Sequence, residues 1–177
     1  MTSLLPICVD LDGTLIREDV TIRALKIFLS ENIFRVFAVI SWLLRGRSYL
    51  KYQLAQRVNL NVAELKYNRE FLNYLTEKKQ QGHKLFLATA CNKKYADAVA
   101  DYLQIFDGVF ASDATHNLRA EAKANTLALI FGEKGFIYAG NSKDDLKVWQ
   151  KSAEYILVTP TPAALNGMRN KSYTLFN

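Results

Sequence analysis

The chain has 177 residues, half of them apolar, which is enough for one domain with a real core and too apolar for disorder. Its formal net charge is +6, but no nucleic-acid recognition motif accompanies the positive charge, so nucleic acid is set aside as a partner. Cys8 and Cys91 read as small buried hydrophobes and not as a disulfide or a metal pair, and free thiols fit a cytoplasmic protein.

Met1-Thr2-Ser3 carries no basic leader, and the apolar run at 4–9 is too short for a secretory signal. That run reads as a buried parallel strand with Asp10 at its carboxyl end, where open α/β sheets bind ligands. Asp12 follows two residues on, ahead of Gly13. If the chain stays extended through Gly13, the two carboxylates share a face and repel, raising one pKa unless a cation lies between them. A hard divalent ion held by oxygen ligands, Mg²⁺ above all, resolves that conflict. The plainer alternative is a strand followed by an acidic turn, since Asp-Gly is a common turn dipeptide.

Helical pattern fills the next stretch, where Asn61-Val62-Ala63-Glu64 reads as a capping box opening a long helix that ends near Gln81-Gly82. A second strand is expected at 84–89, closing in Thr89. It is followed by a helix at 93–103, a strand at 108–112 and a helix at 119–131 that carries Lys123. The run 136–140 is a strand that meets Gly140-Asn141-Ser142-Lys143-Asp144-Asp145, before a helix at 143–151 and a strand at 154–158. Beyond Pro160-Thr161-Pro162 come a short helix and an edge strand at 173–176. Strands alternating with helices predict an α/β fold whose parallel sheet is covered on both faces. The core, 1–16 and 82–177, is interrupted once by a helical insert at 17–81. His83 and His116 lack metal-ligand spacing and read as surface or loop residues.

The insert concentrates the charge. Residues 17–80 hold twelve Lys and Arg against six Asp and Glu, while the remainder holds eleven of each, so the whole excess lies there. Within it, 33–44 is nearly all apolar, with Trp42 near its end and Arg45-Gly46-Arg47 after it. Twelve residues are too few to span a bilayer as a helix. Two readings are open: a buried helix with solvated flanks, or a helix lying in a membrane interface.

Four of these segments together, Asp10-Leu11-Asp12-Gly13-Thr14, Thr89, Lys123 and Gly140-Asn141-Ser142-Lys143-Asp144-Asp145, resemble the four motifs of haloacid dehalogenase superfamily phosphatases. The resemblance covers nearly the whole chain and implies a Rossmann-like parallel sheet with a helical cap inserted after the first strand. It implies a Mg²⁺-dependent phosphatase in which Asp10 is the nucleophile and Asp12 the general acid and base. Thr89, Ala90 and Lys123 would bind the phosphoryl oxygens, and Asp10, Asp12, Asn141 and Asp145 would hold the metal. One position departs from the family pattern: Asn141 stands where Asp is usual, removing a negative charge from the metal site. Asp144 either compensates for that loss or caps the following helix, and capping is the favoured reading.

A looser resemblance rests on Trp42-Leu43-Leu44-Arg45-Gly46-Arg47, Phe110-Ala111-Ser112-Asp113 and Tyr138-Ala139-Gly140-Asn141-Ser142. These are similar to the haloacid dehalogenase-like domain that precedes a UbiA-type prenyltransferase in one polypeptide. It implies a cytoplasmic head at a membrane, and a sugar or polyprenyl-linked phosphate as substrate. The alternative function is a catalytically weak regulatory or interaction head.

Overall fold

The computed structural model describes residues 4–177; Met1-Thr2-Ser3, read as lacking a leader, lie outside the described residues. Six strands form one sheet in the order β3-β2-β1-β4-β5-β6: β1 (Ile7–Val9), β2 (Leu85–Asn92), β3 (Gly108–Ser112), β4 (Ile137–Gly140), β5 (Glu154–Val158) and β6 (Thr174–Phe176). Every neighbouring pair is parallel. β1 lies at the centre, and its three residues are all buried, as an unbroken apolar run requires of a strand covered on both faces. The strand order reverses between β1 and β4, which opens a crevice at their carboxyl ends.

Alternate residues divide the core into two layers. Ile7, Val9, Leu85, Leu87, Ile137, Ala139, Ile156 and Val158 face one side, while Cys8, Ala88, Tyr138 and Leu157 face the other. The first layer is covered by α4 (Arg69–Gln80) and α5 (Lys93–Leu103). The second is covered by α6 (Glu121–Phe131), α7 (Leu146–Lys151) and α8 (Pro162–Gly167). Both thiols are free and buried, as expected of small hydrophobes.

Between β1 and β2 the chain forms α1 (Val20–Glu31), α2 (Arg35–Leu44), α3 (Arg47–Arg57) and α4. α1 opens on Asp19, whose carboxylate accepts from Ile22 N at 2.9 Å. The chain enters and leaves this region through a paired stem. Arg17 N donates to Lys66 O at 2.8 Å, and Asn68 N donates to Leu15 O at 2.9 Å. α3 is pinned onto the core by Tyr95, whose hydroxyl donates to Leu54 O and Val58 O, and by Lys94 Nζ on Ala55 O at 2.7 Å.

Two local readings are corrected. Asn61 caps only a single 3₁₀ turn, Val62–Glu64, because its side chain bonds Ala63 N and the Glu64 carboxylate and the helix stops there. The long helix begins instead at Arg69, with the buried Asn68 accepting from Phe71 N. Nor is α2 a buried helix: none of its residues is buried. Trp42, read as an interfacial anchor, turns inward, with its ring 5.1 Å from that of Phe28 and under the Arg57 guanidinium.

α4 packs on the sheet through Phe71, which is fully buried with its ring 5.2 Å from that of Phe176 on the edge strand β6. Phe71→Ala is expected to cost about 3–5 kcal/mol, because the lost contacts leave a void between two elements fixed elsewhere. Urea unfolding checks this. A loss below about 1 kcal/mol would show that α4 and β6 are not part of the cooperative unit.

Candidate active site

Asp10 follows β1 directly, and its backbone N donates to Ala139 O at 2.9 Å, which ties it to the neighbouring β4. The chain does not stay extended beyond it. The strand ends at Val9 and Gly13 has φ of +75°, so the acidic turn forms and the two carboxylates go to different partners. Asp10 Oδ1 accepts from Lys123 Nζ at 2.6 Å, whereas Asp12 Oδ1 accepts from Val20 N, the first residue of α1, at 2.8 Å. Both aspartates line one cavity of about 720 Å³, together with Thr89, Ala90, Lys123, Asn141 and Asp145. The structure therefore brings all seven sequence-predicted site residues together.

Lys123 sits in the first turn of α6 and is buried, with its ammonium in contact with Asp10, with the Tyr138 hydroxyl at 2.9 Å, and 3.7 Å from Asp145 Oδ1. Burial pulls its pKa down, but Asp10 and Asp145 more than offset this, and the ammonium is held charged. For Asp10, burial dominates over the attraction of Lys123 and pushes the carboxyl up to about 6. Asp12 is pushed up to about 7, first by burial and then by the nearby Asp19 charge, against the bond from Val20 N. A carboxyl that changes protonation near neutrality is suited to give and take a proton.

Thr89 holds the last regular position of β2, whose pairing with β3 shifts between Thr89 and Asn92. The strand was expected to end at 89 but runs on irregularly to Asn92. The Thr89 Oγ1 accepts from Cys91 N at 2.9 Å, so its own proton remains available to a group in the cavity.

The turn after β4 behaves differently from its sequence reading. Asp145 is buried and fully engaged: Oδ2 accepts from Asn141 N at 3.0 Å, Ser142 N at 2.9 Å and Ser142 Oγ at 2.9 Å, and Oδ1 accepts from Tyr138 OH at 2.7 Å. It organises the loop. Gly140 is needed there, since a Cβ would lie 2.6 Å from the Asp145 Cγ. Asp144 does not cap the helix as favoured from sequence. Ser142 is the N-cap, with the Asp145 carboxylate closing a capping box on it, and Asp144 pairs with Arg119 at 2.6 Å. Asn141 packs against Gly13, where a Cβ would meet its amide nitrogen at 2.2 Å. Thus the motif after β4 touches the turn after β1.

Among the described residues no group of three His, Cys, Asp or Glu is placed to hold a metal. Asp10, Asp12 and Asn141 line the cavity at its carboxyl-end loops, and their side chains can offer the all-oxygen ligands that suit a hard cation retaining much of its water.

Two residues of the site escaped the sequence reading. Tyr138 has the signature of an ordinary strand former, and only its hydroxyl, bonded to both Lys123 and Asp145, gives it a role. Lys51, on α3, donates to Ala90 O at 2.8 Å and lines the cavity with Arg17 and Arg47; nothing in its spacing sets it apart.

The comparisons fit this geometry. The chain shares its fold, a parallel sheet with acidic loops after its two central strands and a helical insert after the first, with solved structures that include a HAD family hydrolase and phosphoserine phosphatase. A protein of unknown function from Bordetella pertussis Tohama I superposes with a TM-score of 0.76 at 14% identity, over 99% of both chains. A HAD family hydrolase from Salmonella enterica subsp. enterica serovar Typhi gives 0.71 at 15% identity, over 98% of this chain and 68% of that one. Phosphoserine phosphatase in its apo form gives 0.68 at 15% identity, over 97% and 92%. No family model matches the chain. In sequence it is 33% identical over 163 residues to the uncharacterized protein y4nM of Sinorhizobium fredii (strain NBRC 101917 / NGR234). That match takes in 87% of this chain but 30% of the relative's length.

Tyr138→Phe keeps the ring and removes only the hydroxyl that joins Lys123 to Asp145. Leaving a buried carboxylate oxygen without its donor is expected to cost about 1–3 kcal/mol of folding stability. Denaturant titration of parent and variant measures it, and an unchanged midpoint would mean that water replaces the hydroxyl.

Proposed function

We propose that the chain is a phosphomonoester hydrolase acting through an aspartyl-phosphate. The observation that carries this is the buried Asp10 with Lys123 on one oxygen and the cavity open beside it, while Asp12, pushed up to about 7, lines the same cavity. Asp10 attacks phosphorus, the bond to the ester oxygen breaks, and Asp12 gives its proton to the departing alkoxide. A water molecule then attacks the acyl-phosphate, Asp12 takes the water's proton, and inorganic phosphate leaves with Asp10 restored. Lys123 neutralises charge on the transferring group, and the free proton of Thr89 binds one of its oxygens.

Asp10, Asp12 and Asn141 are the residues that would hold Mg²⁺. When bound, the ion would neutralise phosphoryl charge and draw electron density from phosphorus. Asp145 supports that loop from behind, since its lone pairs are committed elsewhere. The insert, which we take as a cap, brings Arg17, Arg47 and Lys51 to the cavity and favours an anionic, small phosphorylated substrate. A sugar or polyprenyl-linked phosphate, and a place beside a prenyltransferase domain at the cytoplasmic face of a membrane, come from the sequence resemblance. The chain spans 30% of the length of the curated relative it matches, which supports a role as one part of a longer polypeptide.

A second reading is favoured by one observation, the neutral Asn141 in the place of a ligand: a head that is catalytically weak and acts by docking. Two variants separate them. Asp10→Asn should abolish release of phosphate from an aryl phosphate, since an amide is a poor nucleophile, and turnover close to that of the parent would sink the mechanism. Asn141→Asp should lower the Mg²⁺ concentration giving half-maximal turnover, because an oxyanion binds a hard cation more tightly than an amide oxygen. A strong gain from a nearly inactive parent favours the weak head. A rise in the Mg²⁺ requirement would show that Asn141 is not a ligand.

A further inference from the structure

α2 is the one α-helix of the described residues without a buried residue. Its composition makes that unusual, for eight of its ten residues are apolar. Ile33, Phe37, Ile40 and Leu44 recur at spacings of four, three and four, so they line one side of the helix and its entry turn. They are 72%, 69%, 50% and 84% exposed, and the adjoining Phe34 is 73% exposed. The opposite side is already filled: Val39 and Trp42 pack on the core, with Trp42 held between Phe28 and Arg57. Rotation cannot hide the stripe without exposing that side.

The charge around the stripe is mainly positive, and Glu31, just before it, is paired with Arg35. Residues 32–63 contain no Asp or Glu and five Lys or Arg, and Arg45 and Arg47 stand exposed just past the helix. A helix of ten residues is about 15 Å long, half the ~30 Å of a hydrocarbon core. No helix among the described residues is long and apolar enough to cross a membrane. We propose that this face of α2 docks on an anionic lipid bilayer, lying in the interface with the apolar stripe at the acyl boundary and Arg45 and Arg47 among the headgroups. Charge complementarity selects this occupant. A second copy would bring the same basic face, on which the Glu31 carboxylate is already paired with Arg35 and leaves Arg45 and Arg47 unmet.

Docking on this face also bears on the active site. Leu43 lies on the flank of the stripe and lines the cavity together with Arg47, so the cavity edge is brought to the headgroups. Only that consequence rests on the phosphatase reading; the docking stands without it.

The test is sedimentation of the purified chain with phosphatidylcholine vesicles with and without phosphatidylserine, at about 0.1 M and about 1 M salt. Binding to the phosphatidylserine vesicles that fades at high salt is expected. Phe37→Asp with Ile40→Asp should abolish it while leaving circular dichroism and aryl phosphate turnover as in the parent. Arg45→Gln with Arg47→Gln should weaken it roughly thirtyfold, at about the strength expected of two interfacial cations. No binding to anionic vesicles at low salt, or binding that survives the two aspartates, overturns the proposal. So does a dimer in solution that those aspartates dissociate, which would assign the face to a second copy. A parent chain that binds vesicles but hydrolyses no aryl phosphate leaves the docking standing and removes the phosphatase reading instead.

Discussion

One ammonium group organises the centre of this molecule. Lys123 sits in a dry pocket between Asp10 and Asp145, with the Tyr138 hydroxyl as a third contact. An unpaired charge at such depth would be prohibitively expensive, so each member of the cluster is tolerated because the others are present. The arrangement also unites parts that are distant in sequence: the end of β1, the interior of β4, the loop beyond it and the first turn of α6. Fixing Lys123 therefore fixes the relative position of all four.

The cluster separates two carboxylates by task. Asp145 accepts from two backbone N–H groups, the Ser142 hydroxyl and Tyr138, and so holds a loop in shape. Asp10 spends one oxygen on Lys123 and presents the rest of its carboxylate to the cavity. Asp12, beyond a turn and bonded to the start of α1, lines the same cavity but is held by a different part of the chain. Hydrogen-bond satisfaction, more than residue type, sorts these three aspartates into one that holds a loop and two that face the cavity.

Much of this was legible in the sequence because buried strands and Gly-rich turns leave local marks. The helix at 93–103 and the strands at 108–112 and 154–158 lie where their apolar runs and flanking polar residues put them. The misreadings have a common cause, that a short motif shows which groups can bond but not which bond wins. Asn61 and Glu64 satisfy each other as readily as they would cap a long helix, and of the adjacent Asp144 and Asp145 the inner one takes the turn because Arg119 draws the outer one away. Tyr138 was hidden because its ring serves the core and only its oxygen serves the site. For α2 a buried helix and an interfacial one both stayed open in the sequence, since apolar periodicity gives a helix a preferred side without saying what covers it.

The paired stem at residues 15–17 and 66–68 makes the intervening segment a graft on the core. Its two ends meet through short backbone hydrogen bonds, so the sheet experiences the same boundary whatever lies between them. Loop-closure cost rises only slowly with length across such a junction. Divergence in that segment can therefore change what the cavity and the outer helices meet, at little risk to the aspartates beneath it.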